Sequence, residues 1–126
     1  MHWKTIRLEL GPTASFPNGS ASRAFLLCAP LDERGLFDER AVARDPRRAS
    51  VRRFWASEAD QFGQLEYAAD VWRFRVARRD GEAVFRFAPG PYQLNATVSV
   101  KQPDGAVLPF RVAAVRNLRR FATAAE

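Results

Sequence analysis

Three arginines on two neighbouring predicted strands are the residues most able to do chemistry. Arg73, Arg75 and Arg86 share the outward parity of these strands. A type I′ turn at residues 80–81 would set Arg75 directly opposite Arg86. Like charges facing each other in a sheet cost a few tenths to about 1 kcal/mol, so a counter-ion would relieve them. Because guanidinium groups bind phosphate or carboxylate through paired hydrogen bonds, we interpret this cluster as a predicted anion-binding face.

The same arginines also have an interpretation that needs no ligand. A turn at residues 69–70 would place Glu66 opposite Arg73 and supply one compensating charge. The remaining guanidinium groups could point into water or pair with Asp38 or Glu39, because most surface charges are simply solvated. Both interpretations stay open from the sequence.

A second segment interleaves basic and aromatic side chains. Its members are Arg47, Arg48, Arg52, Arg53, Phe54 and Trp55. Proteins that bind single strands of nucleic acid stack bases on aromatic rings while cations follow the backbone. Nucleic-acid binding is therefore an alternative prediction. Against it, alternation places Val51, Arg53 and Trp55 on one side, and a tryptophan contributes so much apolar area that Trp55 could equally belong to the core.

Residues for catalysis or metal binding are scarce. His2 is the only histidine and Cys28 the only cysteine, and the cysteine lies in an apolar run typical of a buried, inert thiol. This excludes a Ser-His-Asp set and a zinc-type ligand group. No spacing singles out a pair of carboxylates for acid–base work. We therefore predict no metal and no cofactor, and an enzyme is the least expected class.

The overall charge is compatible with anionic partners without identifying one. The 126 residues carry a formal net charge of +6 and a sequence pI near 10.6. Only Lys4 and Lys101 are lysines, so the other basic residues are all arginines, and alanine is also abundant. Such a bias fits a high-GC coding sequence as well as it fits selection for phosphate contacts.

The arginine cluster depends on a predicted three-stranded meander over residues 61–88. With the two turns above, Tyr67 faces Trp72, and Phe74 faces Phe87. Apolar residues then gather on the side opposite the arginines: Leu65, Tyr67, Trp72, Phe74, Val76, Phe85 and Phe87. This aromatic face predicts a packed interior on one side of the sheet.

A second hairpin over residues 94–112 supplies a matching apolar face. A three-residue loop over residues 103–105, with the glycine left-handed, sets Val98 opposite Phe110 and Val100 opposite Leu108. Pro109 lacks an N–H group, which predicts that its strand is an edge or carries a bulge there. An edge strand would offer a route to homo-oligomers, and a self-associating structural protein is the third functional alternative.

The remaining elements complete a mainly β domain. Residues 4–10 alternate as a half-buried strand, and the continuous apolar run of residues 23–31 predicts a central strand with both faces covered. Asp38 can cap one short helix around residues 38–45, which must lie on the sheet or plug an open end. We predict a single domain over residues 1–118, an antiparallel small barrel or two-layer sandwich of about seven or eight strands. Residues 119–126 are predicted to be a loosely ordered tail.

Function and location follow from these expectations. No apolar run reaches the ~20 residues of a membrane helix, and residues 1–7 lack the apolar core of a signal peptide. We therefore expect a cytoplasmic protein with no membrane partner. Its predicted role is a binding or interaction module for an anionic ligand or a protein partner.

Overall fold

The protein folds as a closed barrel of eight antiparallel strands, in a computed structural model that describes residues 1–118. Each strand pairs with the next one along the chain, and the last strand closes the barrel by pairing with the first. The strands are β1 (His2–Leu10), β2 (Ser20–Leu31), β3 (Ser50–Trp55), β4 (Gln61–Ala68), β5 (Val71–Arg78), β6 (Gly81–Phe87), β7 (Thr97–Lys101) and β8 (Val107–Asn117). The predicted mainly β, antiparallel fold is confirmed, and it is the barrel rather than the sandwich. The predicted tail at 119–126 lies outside the described residues.

The turn between β7 and β8 has the predicted three-residue form. Gly105 has a φ of 93°, in the left-handed region that a side chain would disfavour. The N–H of Gln102 donates to the carbonyl of Ala106 at 2.7 Å and closes the loop. The register of the hairpin therefore follows the prediction, with Val98 opposite Phe110.

The first turn of the meander also has its predicted register, with Tyr67 opposite Trp72. Its two loop residues, Ala69 and Asp70, have φ values of 52° and 62°, as a type I′ turn requires.

The second turn of the meander lies one residue earlier than predicted, which shifts the pairing of β5 with β6 by two residues. Arg78 pairs with Gly81, so the loop residues are 79 and 80. Arg73 rather than Arg75 consequently lies opposite Arg86, which corrects the predicted pairing. A type I′ turn at residues 80–81 would need a positive φ at both positions, whereas within residues 78–81 only Gly81 has one, at 130°. Because the shift is even, each side chain keeps its predicted face.

Aromatic side chains fill the middle of the barrel. Phe25 makes edge-on contacts with Phe85, Phe87 and Phe110 at centroid distances of 5.7, 5.1 and 5.2 Å. Phe74 is fully buried and stacks on Phe85. This packing is the predicted aromatic interior except for Tyr67, which is 37% exposed. An eight-stranded barrel has an interior just wide enough for such side chains to fill.

The connection between β2 and β3 closes one end of the barrel. It contains the short helix α1 (Glu39–Arg44), which Asp38 caps by accepting a hydrogen bond from the N–H of Ala41 at 3.0 Å. Phe37 precedes the cap and stacks on Tyr92 at 4.4 Å, where both are buried. The predicted helix is confirmed, and its connection acts as a plug.

One expectation about an individual strand holds in part, and another is wrong. β2 lies between β1 and β3 as a central strand, and of its outward residues Ala24 and Pro30 are buried whereas Leu26 and Cys28 are half-buried. β8 is not an edge, since it pairs with both β7 and β1. Pro109 lies just beyond the end of β1, where its carbonyl accepts from Gly11, and the register shift of this pairing is at Arg7/Leu8 instead. Self-association through an edge at Pro109 therefore has no free edge to use.

The opposite end of the barrel, here called the mouth, remains open. Four connections meet there: residues 11–19, 56–60, 79–80 and 102–106. Only Arg86 and Phe87 of β6 pair with β7, so the 102–106 loop stands apart from the first half of β6. No helix within residues 1–118 is long and apolar enough to cross a membrane.

Candidate functional site

Arg53 is a cation on the interior side of the barrel wall. Its position on β3 shares the inward parity of Val51, and the residue is only 8% exposed. It pairs across the sheet with Phe25 of β2 and Gln61 of β4. A buried arginine is uncommon and needs partners, because removing a guanidinium from water is costly.

Aromatic rings and two oxygen atoms hold this guanidinium group. Its Cζ atom lies 4.3 Å from the ring centroid of Trp55 and 5.1 Å from that of Phe85. Its Nη1 atom donates to Oε1 of Glu58 and to Oε1 of Gln61, both at 3.1 Å. The cation–π contacts and the ion pair together orient the guanidinium plane.

The other edge of the same guanidinium group has unused donors. Nε of Arg53 is buried without a hydrogen-bond partner. Within residues 1–118, Nη2 also makes no hydrogen bond. Nε and Nη2 share the edge through which arginine binds two oxygen atoms side by side. Nε has almost no accessible surface, so a ligand atom in a neighbouring cavity does not reach it, whereas Nη2 is not among the buried atoms. Nη2 is therefore the candidate ligand contact.

A cavity of about 470 Å³ opens beside Arg53 at the mouth, within the size range of small-molecule sites. Its lining comprises Arg53, Trp55, Glu58, Arg78, Phe85, Gln102, Pro103, Asp104, Ala106 and Leu108. The walls are therefore partly aromatic and aliphatic, with charged groups of both signs around them. Arg23 lies nearby, with its Cζ atom 6.0 Å from the ring centroid of Trp55.

The predicted outward cluster is assembled on the barrel surface, and two of its three arginines pair with Glu66. Glu66 accepts from Nε of Arg73 at 3.3 Å and from Nε and Nη2 of Arg75 at 2.8 and 2.9 Å. The hydrogen bond from Arg75 is the main reason that the pKa of Glu66 lies below its usual value. Arg86 faces Arg73 on one side and Lys101 on the other. It has no ion pair among the residues that the structure describes.

The basic and aromatic segment is divided among separate surroundings. Arg52 points outward, pairs with Asp60 at 3.0 Å and lies over the rings of Phe54 and Phe62 at 4.4 and 5.1 Å. Arg48 lies 4.7 Å from the ring centroid of Trp3. Arg47 is on the exposed 3₁₀ turn that precedes β3. Arg53 and Trp55 face the interior, so the six residues do not form one continuous strip.

Other reactive groups add little to these sites. Burial raises the pKa of the Cys28 thiol, which makes its thiolate less available. Within residues 1–118 no three histidine, cysteine, aspartate or glutamate side chains are grouped as a metal site would need.

The sequence pattern placed Arg53 on the same side of its strand as Val51 and Trp55, but it did not indicate the site that surrounds Arg53. The Val51-Arg53-Trp55 alternation already places an arginine on an apolar side, which is an unusual signal. Its partners Glu58 and Gln61 come from the next turn and strand, so only the barrel reveals them.

The protein is a small closed antiparallel β-barrel. The β2–β3 connection plugs one end, and at the other end, the mouth, Arg53 lies beside a cavity. No protein family, curated protein or solved structure matches the chain. A β-barrel hosts many unrelated functions, so the function has to be argued from the site itself.

Proposed function

We propose that this protein is a binding module that holds a small anion in the mouth of its barrel. The observation that supports the proposal is the Nη2 donor of Arg53, which makes no hydrogen bond within residues 1–118 and belongs to a nine-tenths-buried residue that lines a cavity. An anionic group bound there would accept a hydrogen bond from this donor. Hydrogen bonds that involve charged groups contribute about 1.5–3 kcal/mol, which is more than neutral ones give.

Preorganisation favours the mouth over an open surface. The rings of Trp55 and Phe85 and the oxygen atoms of Glu58 and Gln61 already orient the guanidinium group, so binding orders little that was mobile. The surrounding apolar walls lower the local dielectric and strengthen charge interactions. The net charge of +6 would also help to attract an anion from solution.

The outward face is the weaker location for the same activity. Arg73 and Arg75 already share Glu66, and exposed ion pairs are screened by water and salt. Arg86, flanked by Arg73 and Lys101, is the member of that face best placed to bind an added anion. It therefore provides the matched control for Arg53.

The test compares the same substitution, arginine to methionine, at two positions. Calorimetric titration with sodium acetate, sodium benzoate and inorganic phosphate measures affinity for wild type, Arg53→Met and Arg86→Met. We expect Arg53→Met to weaken binding by about tenfold or more, as losing a charged hydrogen bond predicts, and Arg86→Met to stay close to wild type. Circular dichroism spectra and thermal melts establish that both variants fold.

Weakened binding in Arg86→Met together with wild-type binding in Arg53→Met would assign the site to the outward face instead. Failure of all three probes to bind the wild-type protein would overturn the proposal. If Arg53→Met fails to fold, Arg53→Lys keeps the charge and the aliphatic stem but loses the planar guanidinium group and with it the Nη2 donor. A folded Arg53→Lys variant with wild-type affinity would equally refute the site.

Single-stranded nucleic-acid binding is the second candidate, and one observation favours it. Phe62 is 65% exposed beside Arg52, an arrangement on which a base could stack. Fluorescence anisotropy with a labelled oligothymidylate should then show an affinity that falls steeply with salt and drops in Phe62→Ala. A signal that does not change with oligonucleotide concentration would exclude this activity.

A further inference from the structure

The donor pattern of Arg53 limits the shape of the anion that fits beside it. One side of the guanidinium group is occupied, because Nη1 donates to both Glu58 and Gln61. On the other side, Nε is buried out of reach of a ligand, so Nη2 is the donor left for an anion. One oxygen atom of a carboxylate can accept from Nη2, and a carboxylate adds no third charged oxygen atom beside Glu58.

The charges around the mouth limit the charge of the ligand. Arg53 and Arg78 are balanced by Glu58 and Asp104 among the cavity-lining residues. Oε1 of Glu58 lies 3.1 Å from Nη1 of Arg53, so any anion on the other edge is also close to this carboxylate. Repulsion from Glu58 grows with ligand charge, and a dianion would feel it about twice as strongly as a monoanion.

The walls of the cavity favour a ligand with an apolar body. Trp55, Phe85 and Leu108 line it together with Pro103 and Ala106. Burying apolar surface stabilises a complex by about 25 cal/mol for each Å² removed from water. A ring joined to the carboxylate would lie near the half-buried Trp55 and Leu108, whereas a bare inorganic anion would leave these two side chains partly solvated.

From these three constraints we infer that the mouth binds a monocarboxylate with an aromatic or other apolar body, in preference to phosphate. The inference rests on the proposed anion binding at Arg53 and specifies its ligand class. The carboxylate accepts from Nη2 of Arg53, and the apolar body packs along Trp55 and Leu108. Glu58 has a second role, since its charge discriminates against dianions.

A panel of small probes separates charge, shape and apolar contact. Calorimetric titration of the wild-type protein uses benzoate, benzamide, acetate and inorganic phosphate at constant ionic strength. We expect benzoate to bind most tightly, and benzamide, which has the same ring without the charge, to bind about tenfold or more weakly. Acetate and phosphate should both bind more weakly than benzoate, because the first lacks the ring and the second meets Glu58.

Two substitutions test the assigned roles within the same panel. Glu58→Gln retains an oxygen acceptor for Nη1 but removes the charge, so the affinity for phosphate should rise by a larger factor than the affinity for benzoate. Trp55→Leu should reduce the affinity for benzoate more than that for acetate, since only benzoate has a ring to pack. Arg40→Gln, at an exposed position of α1 at the plugged end, controls for a general loss of positive charge.

The outcomes distinguish this inference from the proposed function. Phosphate binding more tightly than benzoate, with both lost in Arg53→Met, would refute the ligand class and leave anion binding at the mouth intact. Equal binding of benzoate and benzamide would refute the role of the carboxylate. Wild-type affinity for benzoate in Arg53→Met would refute both proposals together.

Discussion

Replacing Gly63 by alanine should destabilise the barrel through one crowded contact. Gly63 lies on β4 opposite Val51, with its missing side chain directed at the interior. A Cβ atom built there would be 2.7 Å from Cε1 and 3.1 Å from Cδ1 of Phe74, and 3.2 Å from the carbonyl oxygen of Arg75. Phe74 is fully buried and stacks on Phe85, so its ring has little room to move.

The magnitude follows from two opposing effects. Forcing an extra methyl group into a packed core costs about 1–3 kcal/mol. Alanine restricts the unfolded chain more than glycine does. Where the native backbone suits alanine, this stabilises the folded protein by about 0.4–1 kcal/mol. The backbone at Gly63 meets this condition because its φ is not positive. We expect a net loss of about 1–2 kcal/mol in the free energy of unfolding, or a fall of roughly 4–8 °C in Tm for a domain of this size.

Urea denaturation of Gly63→Ala, Phe74→Leu and the double variant measures the contact itself. The smaller leucine leaves space for the new methyl group, so the double variant should be more stable than the sum of the single losses by about 1 kcal/mol. Gly105→Ala is the matched control. Its Cβ atom would meet nothing within 4 Å, but its φ of 93° is strained for alanine, which should cost about 1–2 kcal/mol that Phe74→Leu does not relieve.

If the double variant loses as much stability as the Gly63→Ala and Phe74→Leu variants lose together, the steric argument is refuted. Unchanged stability in Gly63→Ala alone would show that the β4 backbone moves freely away from Phe74, contrary to the packing described above.

Two further perturbations test other parts of the barrel. Tyr92→Phe should lower the free energy of unfolding by about 1–2 kcal/mol in urea titrations, because the buried hydroxyl donates to the carbonyl of Ala88 at 2.6 Å; an unchanged midpoint would contradict this. Glu66→Gln should be less stable than wild type at neutral pH. The folded-state pKa of Glu66 is lowered chiefly by the hydrogen bond from Arg75, so its stabilisation is present above the unfolded pKa and is lost as the pH falls through the folded pKa. Thermal melts across the acidic range should show the two proteins converging at low pH, and a constant difference would refute the ion-pair contribution.

Short-range patterns predicted much of the barrel. Alternation placed Phe74, Phe85 and Phe87 inside and Arg75 and Arg86 outside, because successive side chains of a strand point to opposite faces. Loop chemistry set the turn at residues 103–105, where a glycine with positive φ follows Pro103 and Asp104. These features depend only on residues close to one another in the chain.

Local turn chemistry allowed more than one register at the second meander turn. The Asp-Gly pair suits a type I′ turn, yet the loop falls on residues 79–80 and Gly81 uses its positive φ just after it. The resulting register sets Phe74 beside Phe85, where the two rings stack in the core. Both registers keep the same faces, so side-chain parity could not distinguish them.

The amino-acid sequence by itself determined the strands, their inward and outward faces and the capped helix, since each rests on periodicity or on a few adjacent residues. The tertiary structure alone decided that β8 closes on β1, that the β2–β3 connection plugs one end, and that Glu58, Gln61, Trp55 and Phe85 surround Arg53. Closure and the environment of Arg53 depend on contacts between residues far apart in the chain. Such contacts leave no periodic trace in a single sequence, and they are what turn an interior arginine into a candidate binding site.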